Sequence, residues 1–80
     1  MIEKLKDRIV SDPAVMRGKP VIAGTRITVE HVLRMLGAGM TVEELLAEYP
    51  QLSREDVQAA QAFAAEWMAE EKVFPLETAE

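Results

Sequence analysis

Two groups of side chains in this sequence have types and spacings suited to chemistry. Arg17, Lys19 and Arg26 lie close together in the stretch RGKPVIAGTRITV, which runs from Arg17 to Val29. Cations gathered around a turn hold phosphate oxygens or a partner's carboxylates through charge-assisted hydrogen bonds, or else stand as solvated turn charges. Arg54, Gln58 and Gln61 are spaced i, i+4, i+7 and so share one face of a helix. Arg reads guanine and Gln reads adenine in the DNA major groove. Glu55 and Asp56 stand beside them in the first helical turn, where an approaching phosphate is repelled.

Catalytic constellations are missing from the sequence. His31 is the one histidine and there is no cysteine, so zinc-ligand spacings and thiol nucleophiles are excluded. A lone histidine near a helix start reads as a surface or core-edge residue. Glu43-Glu44 and Glu70-Glu71 are adjacent pairs. Consecutive helical residues point in different directions, so neither pair converges on one metal or one water. Gly18-Lys19 lacks the upstream glycine of a phosphate-binding P-loop, and no GxGxxG occurs. The expectation is a binding module, not an enzyme, with no cofactor and no metal.

The elements that position these residues are signalled locally. Ile2, Leu5 and Ile9 fit a helical turn or a short strand. Ile9-Val10 is β-branched and reads as a strand, and Ser11-Asp12-Pro13 is turn chemistry. Gly18 permits a positive φ, and Pro20 suits an edge strand or a strand start. Val21-Ile22 then reads as a second short strand, Ala23-Gly24-Thr25 as a turn, and Arg26-Ile27 as extended. Small strands or a hairpin are expected over this region.

Three helices follow. Thr28 is an N-cap, with Ile27 and Val32 at staple spacing, and the apolar stripe is Val29, Val32, Leu33 and Leu36. Gly37 or Gly39 ends this helix in a left-handed conformation. Thr41-x-x-Glu44 is a capping box with Met40 and Leu45 as its staple. The second stripe is Val42, Leu45, Leu46 and Tyr49, and Pro50 stops the helix. Ser53-x-x-Asp56 is a box with the shorter acid, with Leu52 and Val57 at staple spacing. The third helix is expected from Arg54 to about Lys72, roughly 28 Å long. Val57, Ala60 and Ala64 pack on the first two helices. Trp67 and Met68 lie beyond that core, and an apolar tail with Phe74 and Leu76 follows before the chain turns acidic. These four form a candidate partner surface, or the tail folds back on its own helix.

Eighty residues allow one small domain with a core of marginal size, so stability gained from a second copy is expected and a homodimer is the working assumption. Net charge is −5 but uneven. Residues 1–40 hold seven cations against four acids, +3, whereas residues 41–80 hold two against ten, −8. Overall acidity argues against broad, non-specific nucleic-acid binding. MIEKLKDRIV is not a signal peptide pattern, and no apolar run approaches a membrane span. A cytoplasmic protein with no membrane contact is expected.

The segment from Ile9 to about Ala65 resembles the bacterial family catalogued as domain of unknown function 433. The matching residues are Ile9-Val10-Ser11-Asp12-Pro13, Gly18-Lys19-Pro20-Val21-Ile22, Gly24-Thr25-Arg26-Ile27, Val29, Gly39, Glu43-Glu44, Tyr49-Pro50, Leu52 and Asp56-Val57. The run GKPVIAGTRITV is the most specific part. The resemblance implies a mainly α, three-helix, homeodomain-like or winged-helix-like helix-turn-helix domain with a short N-terminal β element. It also implies antitoxins of the VapB type, paired with a PIN-like ribonuclease toxin. Residues 66–80 lie outside it, as a helix extension and tail on a single domain spanning 1–80.

Together these readings give an antitoxin-like module with two working surfaces. Arg17, Lys19 and Arg26 meet phosphate or an acidic partner, joined in the case of operator DNA by Arg54, Gln58 and Gln61. Trp67, Met68, Phe74 and Leu76 meet a second copy or the toxin. The alternatives are a stand-alone DNA-binding regulator and a purely structural dimer module.

Overall fold

The computed structural model describes residues 3–71. The order of elements is a 3-10 segment Glu3–Arg8, strand β1 Ile9–Val10, a tight turn Met16–Gly18, strand β2 Val21–Ile22, then helices α1 Val29–Gly37, α2 Val42–Glu48 and α3 Arg54–Glu71. The fold is thus mainly helical, three helices behind a two-stranded antiparallel hairpin. The expectations for Lys72, Phe74 and Leu76 lie outside the described residues.

The hairpin pairs Ile9 with Ile22 and Val10 with Val21. The short N-terminal hairpin expected from the sequence is present, with β2 reaching back to the strand before Pro13. Its other edge is used too. Ile22 N–H donates to the Ile27 carbonyl at 2.9 Å, and Val21 forms an isolated bridge with Thr28. Thr25 closes the turn between them, its hydroxyl donating to the Ile22 carbonyl at 2.8 Å and accepting from Ile27 N–H at 3.0 Å. The small β unit therefore delivers the chain directly into α1.

Each helix begins where its cap predicts. Thr28 Oγ1 accepts from His31 N–H at 2.9 Å. Thr41 and Glu44 complete a reciprocal box at 3.0 and 2.9 Å. Ser53 and Asp56 do the same at 3.2 and 2.9 Å. Capping satisfies N–H groups that have no partner in the first turn. At the far end of α1, Gly37 stays within the helix and Gly39 takes the left-handed turn, with φ +106°. Gly39 N–H bonds the Leu36 carbonyl and Met40 N–H reaches the Met35 carbonyl, the paired pattern of a Schellman stop. Tyr49, ahead of Pro50, leaves helical geometry at φ −125°, ψ 80°.

The core forms where β2 and the three helices meet: Ile22, Val29, Val32, Leu45, Leu52, Val57 and Ala60 are buried together. Leu5, from the 3-10 segment leaning on α3, is buried as well. The helices around this core leave the distal half of α3 partly bare. Ala64 is only half-buried, while Trp67 and Met68 are 54% and 50% exposed. No helix among the described residues is long and apolar enough to cross a membrane.

Candidate functional site

Along the flank of α1, Leu33 is left half-covered because Val29 and Val32 take the centre of the core. On α3, Phe63 and Ala64 follow Ala60, and Trp67 and Met68 follow one turn later. Helical geometry puts residues three and four apart on one face, so this row continues the core face past the point where the domain stops covering it. The result is an open groove of about 680 Å³ between α1 and α3, lined by Pro20, Val29, Leu33, Phe63, Ala64, Trp67 and Met68. Two charged side chains, Glu30 and Arg34, also line it. Glu30 accepts from Lys19 Nζ at 3.0 Å and pairs with Arg34 across one turn of α1. The hydrogen bonds and charges of Lys19 and Arg34 hold the Glu30 carboxyl below its usual range. The groove is therefore apolar along its length, with the Glu30–Arg34 pair in its lining and Lys19 bound to Glu30.

The basic turn divides into one committed and two uncommitted cations. Lys19 is engaged with Glu30. Arg17 and Arg26 are exposed, and neither has an ion pair among the described residues. Arg17 lies in an unusual backbone. Met16, Arg17 and Gly18 have φ of 49°, 59° and 80°. Three consecutive left-handed residues are closed by Gly18 N–H to the Val15 carbonyl and Lys19 N–H to the Met16 carbonyl, at 3.0 and 3.1 Å. Gly18 occupies that region freely; Met16 and Arg17 do so against their Cβ atoms. The glycine was legible as a turn residue, whereas nothing in the residue types marks the two before it.

The α3 set is exposed, as its spacing requires: Arg54, Gln58 and Gln61 all face solvent. Arg54 is committed, however, with Nη2 2.9 Å from Glu43 Oε2 on α2. This bond is the main cause that lowers the Glu43 carboxyl below its usual range. Of the two first-turn acids, Glu55 is exposed and Asp56 is turned inward at 8% exposure. Asp56 closes the Ser53 box through one oxygen and accepts from Arg8 Nη1 at 3.0 Å through the other. Sequence reasoning found the box but missed Arg8, which lies 48 residues away.

His31 has a packing role. Its Nε2 lies 3.0 Å from the Tyr49 hydroxyl, and the rings meet edge to face with centroids 5.8 Å apart, tying α1 to the end of α2. Among the described residues no three His, Cys, Asp or Glu side chains converge on a point that would hold a metal. Of the expected partner residues, Trp67 and Met68 line the groove, and Phe74 and Leu76 lie outside the described residues. Phe63 and Leu33, not singled out as surface residues from the sequence, complete it.

Comparison with known proteins places these features in a family context. An uncharacterised protein of Sinorhizobium fredii, y4eO, is 34% identical over 59 residues, covering 74% of this chain and 27% of that protein. The crystal structure of a DUF433 member from Anabaena variabilis superposes with a TM-score of 0.73 at 34% identity, over 81% of this chain and 64% of the other. The chain thus spans about a quarter of one relative and under two thirds of the other. Residues 9–64, from the first residue of β1 to the part of α3 that enters the groove, match the family described as "Protein of unknown function (DUF433)". The chain belongs to the DUF433 family.

Proposed function

We propose that this chain is an antitoxin-like, protein-binding module that engages and silences a PIN-like ribonuclease, acting by binding and not by catalysis. The groove between α1 and α3 carries this reading. A tryptophan and a methionine half-exposed beside Leu33 and Phe63 are costly to leave in water. Large aromatic anchors set in such clefts supply much of the binding energy at protein interfaces. The rim cations and the free arginines suit a partner with an acidic, metal-dependent site. The family resemblance supplies the partner type.

The test is direct. The genes beside its own are searched for a PIN-like ribonuclease, the purified chain is added to the product of such a gene, and RNA cleavage is followed; a neighbourhood with no such gene counts against the reading. Stoichiometric loss of cleavage supports the reading. Unaltered cleavage with no complex on a sizing column refutes it. Self-association through the groove, with no nuclease bound, would assign the surface to a homodimer instead.

A second reading is that the same chain binds its own operator. Arg54, Gln58 and Gln61 share an exposed face of α3, and α2, a five-residue connection and α3 follow in helix-turn-helix order. Against it, Arg54 is held by Glu43, and Glu55 stands exposed beside it. Operator binding would fall steeply with salt. Gln58→Ala would change sequence preference, whereas Arg26→Ala would weaken all sites alike.

A further inference from the structure

We propose that the groove between α1 and α3 is covered, when no partner fills it, by residues 73–76 of the same chain, folded back along α3. The proposal goes beyond the protein-binding reading and does not depend on it. Any partner for the groove has to displace this segment.

The first observation is where the bare surface lies. The α3 wall of the groove is Phe63, Ala64, Trp67 and Met68, and the last two are half-exposed. Met68 stands less than one turn before Glu71, where α3 ends. Next in the sequence come Lys72 and then four apolar residues in a row, Val73, Phe74, Pro75 and Leu76. An apolar wall without a cover and an apolar run without a place in the core therefore adjoin. The tether favours this occupant over others. A short connection holds it at an effective concentration on the order of millimolar, so even weak apolar contacts keep it seated.

Length is the second. Phe63 precedes Glu71 by eight residues, about 12 Å along a helix. Four residues of extended chain cover about 13 Å. With the chain reversing at Lys72, residues 73–76 match the wall in length. Pro75 cannot continue the helix and biases Phe74 towards an extended backbone. It also brings no N–H that an apolar groove would leave unpaired. Charge is the third. Glu30 is shared by Lys19 and Arg34, which leaves one cation in excess, and the Arg34 side chain is 72% exposed. Beyond Leu76 the sequence brings Glu77 and Glu80. Seating the apolar residues carries these acids to the side of the groove where that excess positive charge lies, and opposite charges attract there.

The experiment reads Trp67, the one tryptophan of the sequence, in the full chain with no other molecule bound. Phe74→Ser and Leu76→Ser remove apolar contacts without adding charge, and Thr78→Ala is the control in the same segment. Tryptophan emission, its quenching by acrylamide, helix content by circular dichroism and mass on a sizing column are recorded over a range of protein concentrations. The wild type is expected to emit to the blue of free tryptophan and to be weakly quenched, at every concentration. Phe74→Ser and Leu76→Ser should each shift the emission to the red and raise the quenching, with helix content unchanged. Thr78→Ala should match the wild type. If the two serine variants keep wild-type emission and quenching, the proposal falls. Protection of Trp67 that is lost on dilution, as a dimer dissociates, would also overturn it and assign the groove to a second copy. No nuclease is present, so failure here and failure of the protein-binding reading are separate results.

Discussion

Replacing Asp56 by alanine should cost this domain about 2–3 kcal/mol, and the figure follows from two contacts. One carboxylate oxygen accepts from Ser53 N–H at 2.9 Å and closes the α3 capping box. Loss of a cap interaction costs about 1 kcal/mol. The other oxygen accepts from Arg8 Nη1 at 3.0 Å, with the two side chains 12% and 39% exposed. A fully buried pair broken on one side costs about 3–5 kcal/mol and an exposed pair at most about 1, so this intermediate one contributes about 1–2. Arg8 has no spare partner to fall back on, since its buried Nε already lacks a hydrogen bond among the described residues. A domain of this size has about 4–12 kcal/mol in total, so the loss is a substantial fraction. At about 4–8 °C per kcal/mol, Tm should fall by about 10–20 °C. Thermal and urea unfolding followed by circular dichroism measure both quantities. Arg8→Met should cost less than Asp56→Ala, because Asp56 still caps Ser53 in that variant. Asp56→Ala within about 0.5 kcal/mol of wild type would refute the view that this contact locks the N-terminal segment onto α3.

Other outcomes follow from single features. Gly39→Ala should cost about 1 kcal/mol, visible as a lower urea midpoint, because φ is +106° and the added Cβ meets nothing within 4 Å that would compensate or clash. The carboxyls of Glu30 and Glu43 are held below their usual range, by Lys19 with Arg34 and by Arg54 respectively. A lowered value in the folded chain makes each carboxylate's contribution present above the ordinary carboxylate range and lost as pH falls through the lowered value. The Tm gap between wild type and a Glu30→Gln, Glu43→Gln double variant should therefore be present near neutral pH and narrow as pH falls through the lowered values; both groups are solvent-exposed, so added salt should narrow it as well.

What the sequence made legible, and what it did not, divides by distance along the chain. Thr28, Thr41 and Ser53 announce their helices because a cap is a contact over three residues, and all three act as expected. The stop at Gly39 is local in the same sense. The N-terminal hairpin was legible from the two β-branched pairs, Ile9-Val10 and Val21-Ile22; its register, Ile9 with Ile22 and Val10 with Val21, was not, because it is set only once the chain is folded. Arg8 with Asp56 and Arg54 with Glu43 are likewise tertiary pairings between ordinary surface residue types. The candidate surface was half legible. Trp67 and Met68 stand out as apolar residues past the end of the core, but the groove needs Leu33, Phe63 and Pro20 from three separate elements. The left-handed backbone at Met16 and Arg17 is set by turn closure, against the preference of both residues.

The central claim, that the groove between α1 and α3 takes a nuclease partner, is tested most directly at Trp67. It is the one tryptophan of the chain and lines the groove half-exposed. Growing the protein with 5-fluorotryptophan therefore places a single fluorine reporter in the site. Titration with the unlabelled PIN-like ribonuclease should move that resonance to a new, saturating position at the same ratio at which RNA cleavage stops. A resonance that stays where it is while the nuclease is bound and silenced would show that the partner docks elsewhere, and the account of the groove would be wrong.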